Sequence, residues 1–199
     1  MKALFTPNTC CFQSRRVWFW LILLIVIVAV FFFLRPAPPK INPLNPNSMK
    51  ITSPAFLDGE TMPELYTCRS TGSHPPLAWS GAPASAKSLA VIIDDPDAPS
   101  GDFVHWVVWN ISAGETGITA GALPTGAIEG QNSLGQAGFV APCPPSGTHH
   151  YQFKLYALDT NLALDNTTTK VELVKAMTGH ILAETQLVGL VSSVAPSAE

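Results

Sequence analysis

Apolar positions fall into two regimes along this chain. Residues 17–34 form one uninterrupted apolar run of 18 residues, whereas from Met49 onward short apolar runs alternate with turn residues. As a helix, the long run spans about 27 Å, close to the hydrocarbon thickness of a bilayer. Arg15 and Arg16 precede it as a signal peptide's basic region would. However, the run exceeds a typical signal core and ends Phe31-Phe32-Phe33-Leu34-Arg35-Pro36, with no small-x-small cleavage site. The expectation is an uncleaved single-pass transmembrane anchor at 17–34 behind an N-terminal tail at 1–16. Residues 35–48 then read as a stalk, because Pro36, Pro38, Pro39, Pro43 and Pro46 favour extended polyproline II.

The globular part is expected at 49–199. Apolar runs at 50–53, 88–93, 103–111 and 151–158, each bounded by turn residues, predict short strands. Strict alternation places His105, Val107 and Trp109 on one face of their strand and Trp106, Val108 and Asn110 on the other. Thr169 with Glu172 three residues later is a capping-box signature, and Leu173, Met177, Ile181 and Glu184 continue one helical face, predicting a C-terminal helix through to Gly189. The expected fold class is mainly β, an antiparallel β sandwich with the helix beside it.

Composition sharpens this picture. The chain is 47% hydrophobic and 13% charged, with the apolar excess concentrated in 17–34. All 14 Asp and Glu lie at or after Asp58, against six Lys and Arg from Lys50 onward, so the globular part is strongly acidic. Net charge therefore steers it neither to nucleic acid nor to anionic lipid. Lys2, Arg15 and Arg16 nearly balance Arg35, Lys40 and Lys50 across the apolar run. The arginines placed directly against that run, together with the acidic domain beyond it, favour a cytoplasmic N-terminus and a periplasmic or extracellular domain. Cys68 and Cys143, the only cysteines of the globular part, fit either a disulfide or two buried thiols.

Candidate chemistry centres on 94–110. An apolar strand delivers Asp94, Asp95 and Asp97 into a turn stiffened by Pro96 and Pro99, and His105 follows on an apolar, aromatic strand. A second proline-dense turn, Pro142-Cys143-Pro144-Pro145-Ser146-Gly147-Thr148, runs into His149, His150 and Tyr151. No Gly-x-Ser-x-Gly elbow supports a serine hydrolase. A metal site is disfavoured, because adjacent His149 and His150 point to opposite strand faces and no His-x-x-x-His pair exists. An anion pocket fits better: His105, His149 and Tyr151 can donate, Gly147 allows close backbone approach, and Asp95 or Asp97 can fix an imidazole tautomer. Trp79, Trp106 and Trp109 read as core or pocket wall, and His74 and His180 as surface or helix residues without a role.

The stretch Asp95-Pro96-Asp97-Ala98-Pro99, then His105-Trp106, then Cys143-Pro144-Pro145-Ser146-Gly147 with His149 and Tyr151, resembles the phosphatidylethanolamine-binding protein family in its bacterial Raf-kinase-inhibitor-like branch. Tyr66-Thr67-Cys68, Pro75-Pro76-Leu77-Ala78-Trp79, Gly130-Gln131-Asn132 and Leu155-Tyr156-Ala157-Leu158-Asp159 follow in the same order as in that family, so the resemblance covers about residues 50–190. It implies a β sandwich with peripheral helices and a small anion cavity lined by Asp95, His105, Pro144, His149 and Tyr151, accepting phosphate or a phospholipid head group. It implies no cofactor. It also raises an inhibitor or modulator role toward a kinase or protease. His150 stands where the family commonly has Arg, and Phe139-Val140-Ala141 where an aromatic followed by glycines is usual, so the cavity edge is expected to be narrowed or reshaped. The expected function is a membrane-anchored, non-catalytic binding protein. The alternatives are an enzyme using Asp95, His105 and His149 as an acid–base cluster, and an interaction module with a vestigial pocket.

Overall fold

The computed structural model describes residues 48–193. The anchor expected at 17–34, the tail before it and the stalk through residue 47 lie outside the described residues, among which no helix is long and apolar enough to cross a membrane.

Nine strands and one α-helix make up the described chain: β1 Lys50–Thr52, β2 Glu60–Thr61, β3 Leu77–Ser80, β4 Ser88–Asp95, β5 Phe103–Ser112, β6 Gly117–Ile118, β7 Ile128–Glu129, β8 Thr148–Leu158, α1 Lys170–Met177 and β9 Ile181–Ser192. They form a three-stranded sheet, β1-β3-β6, and a six-stranded sheet, β2-β9-β8-β4-β5-β7, antiparallel except for the short β2–β9 pairing. The apolar face of each sheet must leave water, and the two faces meet. Ile51, Leu77 and Trp79 from the small sheet pack with Leu89, Val91, Ile93, Trp106, Val108, Phe153 and Leu155 from the large one. The opposite face of the large sheet is covered by α1, whose Leu173 and Met177 pack with Ala90, Ile92, Val107, Trp109 and Leu158. Burial on both faces explains why every residue of β4 is buried and why its central run, Leu89 to Ile93, is apolar without alternation.

Two expectations are corrected. The helix predicted through to Gly189 stops at Met177. Its start is as expected, with the capping box of Thr169 and Glu172 closed. Thr178 is extended, however, and Gly179 takes φ +84, a conformation that ends a helix and that β-carbon-bearing residues rarely adopt. The chain then reverses into β9, where inward-facing Leu187, Gly189 and Val191 follow a period of two. The apolar spacing at 173 and 177 is helical, and extending it to Ile181 crossed a turn.

The strict alternation on β5 is also overturned. Ile93 pairs with Trp106 but Asp94 pairs with Val104, so His105 is the extra residue of a β-bulge. Trp106 belongs to the core between the sheets, and His105 packs edge-on against Tyr151, which belongs to the same core. Two consecutive side chains therefore reach one face, whereas Val107 and Trp109 serve the other. A second irregularity lies between Leu89 and Val91, opposite Asn110, which has φ 56 and exchanges two hydrogen bonds with the Leu162 backbone, Nδ2 donating at 2.9 Å and Oδ1 accepting at 2.8 Å.

Candidate functional site

The end of β4, the bulge of β5 and the start of β8 converge at one end of the large sheet. Between them and the 140–145 loop lies a cavity of about 330 Å³, lined by Asp95, His105, Pro144, His149 and Tyr151 among others. Of the seven expected ligand-binding residues, five meet here. Asp97 and Gly147 do not: both lie on exposed turns outside the lining.

The two proline-stiffened turns divide their charges. Asp95 Oδ1 accepts from the Asp97 N–H at 2.9 Å, which closes the turn and aims Oδ2 at His149 Nδ1, 2.6 Å away. This pair is almost sealed, with side-chain exposures of 5% for Asp95 and 7% for His149. Asp97 Oδ2 instead accepts from the His150 N–H at 2.8 Å and sits 2.7 Å from His150 Nδ1, with exposures of 41% and 57%. The bonds from His150 hold the Asp97 carboxyl below the usual carboxylate range. Adjacent His149 and His150 thus point to opposite sides, as a strand requires, and each finds its own carboxylate.

His105 is held differently. Its Nδ1 donates to the Val140 carbonyl at 2.7 Å, and the Val140 N–H donates to the His105 carbonyl at 2.9 Å. Burial pushes the imidazole's proton affinity down, so His105 favours its neutral form. Tyr151 packs edge-on against His105, with ring centroids 5.0 Å apart. Burial, and then the charge of Asp95, push the Tyr151 phenol well above its ordinary range, so it keeps its proton. Phe103, Val140 and Ala141 complete much of the apolar wall, and among the described residues neither Lys nor Arg lines the cavity. Phe103 was legible, since it precedes His105 by two on one strand. The Val140 carbonyl was not, because a backbone contact across 35 residues leaves no local pattern.

Asp94 does not join the acidic turn. It is completely buried on the α1 side of the sheet, 2.7 Å from Lys154 Nζ and 2.6 Å from Lys170 Nζ, and Lys170 also bonds Asp102. A buried carboxylate needs such partners. His74, expected at the surface, is instead buried and stacked on Trp106 at 4.4 Å. His180 is exposed, 2.8 Å from Asp159. Cys68 and Cys143 form a disulfide, with Cα atoms 5.4 Å apart, and Cys143 lies in the cavity rim. The Cys68 N–H also donates to the Pro142 carbonyl, so this rim is joined twice to the loop after the Glu64–Tyr66 turn.

Solved structures share this arrangement of sheets. A phosphatidylethanolamine-binding protein homolog from Chlamydia trachomatis is 40% identical and superposes with a TM-score of 0.72 over 74% of this chain and 99% of its own. Escherichia coli YbcL, described as a member of the mammalian PEBP family, is 33% identical with a TM-score of 0.70, over the same 74% and 99%. The class is thus the PEBP-type β sandwich. The profile of the phosphatidylethanolamine-binding protein family matches residues 52–192, and the chain belongs to that family, in its bacterial, Raf kinase inhibitor-like branch. Among sequence relatives, a UPF0098 protein of Methanothermobacter thermautotrophicus is 48% identical over 71% of this chain and 97% of its own length. A Mycobacterium tuberculosis protein named as lipoprotein LppC is 41% identical over 71% of each chain.

Proposed function

We propose that this family member is a non-catalytic binding protein whose cavity holds a small phosphate-like head group. The observation that carries this reading is the buried Asp95–His149 pair opening, with His105 and Tyr151, onto one cavity of about 330 Å³. Once protonated, His149 is a cation whose Nδ1 is committed to Asp95, which leaves Nε2–H for an anion. The Tyr151 hydroxyl adds a second polar group, and the apolar wall accommodates the substituent. Ser100 lies in the lining, but no hydrogen bond joins it to either histidine, and an acid–base cluster without an activated nucleophile favours binding over turnover. The apolar 17–34 segment and the lipoprotein name of the mycobacterial relative support attachment of the chain to a membrane. A modulator role toward a kinase or protease rests on the family resemblance.

Calorimetric titration of the full chain in detergent, with phosphate and phosphoethanolamine at about pH 6 and about pH 8, tests the pocket. Binding is expected at the lower pH, weaker at the higher one, and absent in a folded His149→Ala variant. Binding unchanged in that variant would sink the assignment.

A further inference from the structure

The hydrogen bond between His105 and Val140 constrains the ligand more tightly than the shape of the cavity does. A carbonyl oxygen only accepts, so at 2.7 Å the His105 Nδ1 carries the proton of that bond. The reciprocal bond from the Val140 N–H to the His105 carbonyl holds the partner in place. Among the described residues, Nε2 of His105 makes no hydrogen bond. Yet among the described residues Trp109 Nε1 is the one buried side-chain nitrogen or oxygen without a partner, so Nε2 of His105 is open to the cavity rather than sealed in the core. In the neutral ring that nitrogen presents a lone pair, not an N–H.

The surroundings favour the neutral ring. The titratable groups about His105 are Asp95 and the more distant Asp94 on β4, and His149 and Tyr151 on β8, whereas Phe103, Val140 and Ala141 bring no charge. Asp95 is already paired with His149. Burial opposes a charge on His105, and a cationic His149 would oppose a second one. A fully ionised oxygen placed opposite Nε2 would set lone pair against lone pair. A hydroxyl there would be satisfied.

Resting on the anion-pocket reading, we infer that the cavity takes the acid monoanion of a phosphomonoester, whose P–OH donates to Nε2 of His105 while its ionised oxygens meet His149 and Tyr151. The selected ligand class is then one that brings its own proton. Phosphomonoesters do so readily, because their second ionisation lies near pH 6. Sulfate monoesters carry the same single charge in nearly the same shape and have no proton to give.

Methyl phosphate and methyl sulfate, titrated calorimetrically against the full chain at about pH 6, separate the two classes. Methyl phosphate is expected to bind roughly tenfold tighter or more, the equivalent of one unsatisfied buried polar contact. In a His105→Gln variant, whose amide can donate, the gap is expected to shrink to within about threefold, mainly through tighter methyl sulfate binding. Nitrogen-15 NMR of the methyl phosphate complex is expected to show His105 neutral and protonated at Nδ1. Equal affinity of the wild-type chain for both esters, or a His105 imidazolium in the complex, overturns this inference and leaves the anion pocket standing. Binding of neither ester overturns the pocket reading and this inference together.

Discussion

His74 and His105 are buried imidazoles in which desolvation is the largest influence, and both are held below the ordinary histidine pKa. In the unfolded chain they titrate near pH 6.5. Between the lowered folded value and that point the unfolded state binds more protons, so stability falls as the pH drops through about 6.5 toward the folded value, and is fully present above it. Thermal unfolding is therefore expected at a lower temperature at about pH 5.5 than at about pH 7.5. A His74→Phe variant, which keeps a ring against Trp106 but cannot titrate, should show a shallower dependence; an identical pH slope would refute the assignment to His74. At this scale the carboxylates and histidines of the site were legible as residue types in stiff turns. Which carboxylate serves which histidine was not, because Asp95 and His149 are 54 residues apart.

Single backbone positions decide the extent of two elements. Gly179 at φ +84 turns α1 into β9, and a β-carbon there would meet nothing within 4 Å. Gly179→Ala should therefore cost only conformational strain, about 1 kcal/mol. At Gly130, which lies against β5 and the Thr168 backbone ahead of α1, a β-carbon would lie 2.3 Å from the Thr168 carbonyl, 2.8 Å from the Trp109 ring and 2.9 Å from Val107. Backbone cannot yield as a flexible side chain can, so Gly130→Ala should cost roughly 2–3 kcal/mol. Urea unfolding of both variants measures the contrast, and a smaller loss at Gly130 than at Gly179 would contradict the packing described. The strands at 50–52, 88–95 and 103–112 were readable because their apolar runs are long or sharply bounded. β2, β6 and β7, two residues each, were not, since pairing with distant strands rather than local preference makes them strands.

For the whole molecule, the Cys68–Cys143 disulfide closes a loop between cysteines 75 residues apart. On the chain-entropy view this restricts the unfolded state and contributes roughly 4 kcal/mol. A Cys68→Ser/Cys143→Ser double variant should show a loss of that order in denaturant unfolding. Loss of most of the anion affinity would also be expected, because Cys143 and Pro144 form the cavity rim. Stability unchanged by the double substitution would mean that the surrounding loops hold without the bond.

Sequence alone determined the class of fold, the capping of α1, the two proline-stiffened turns and five residues of the cavity. The strands, the cap and the turns follow from periodicity and turn chemistry, which act between near neighbours, whereas the five cavity residues as a set, Pro144 included, follow from the family resemblance. The exclusion of Asp97 and Gly147, the burial of Asp94 and His74, the bulge that brings His105 beside Trp106, and the Val140 carbonyl that sets the His105 tautomer were decided only by tertiary structure. Each depends on which distant strand or loop lies alongside. The local pattern of a strand specifies alternation, and a bulge or a cross-loop hydrogen bond overrides it only once the partner is in place.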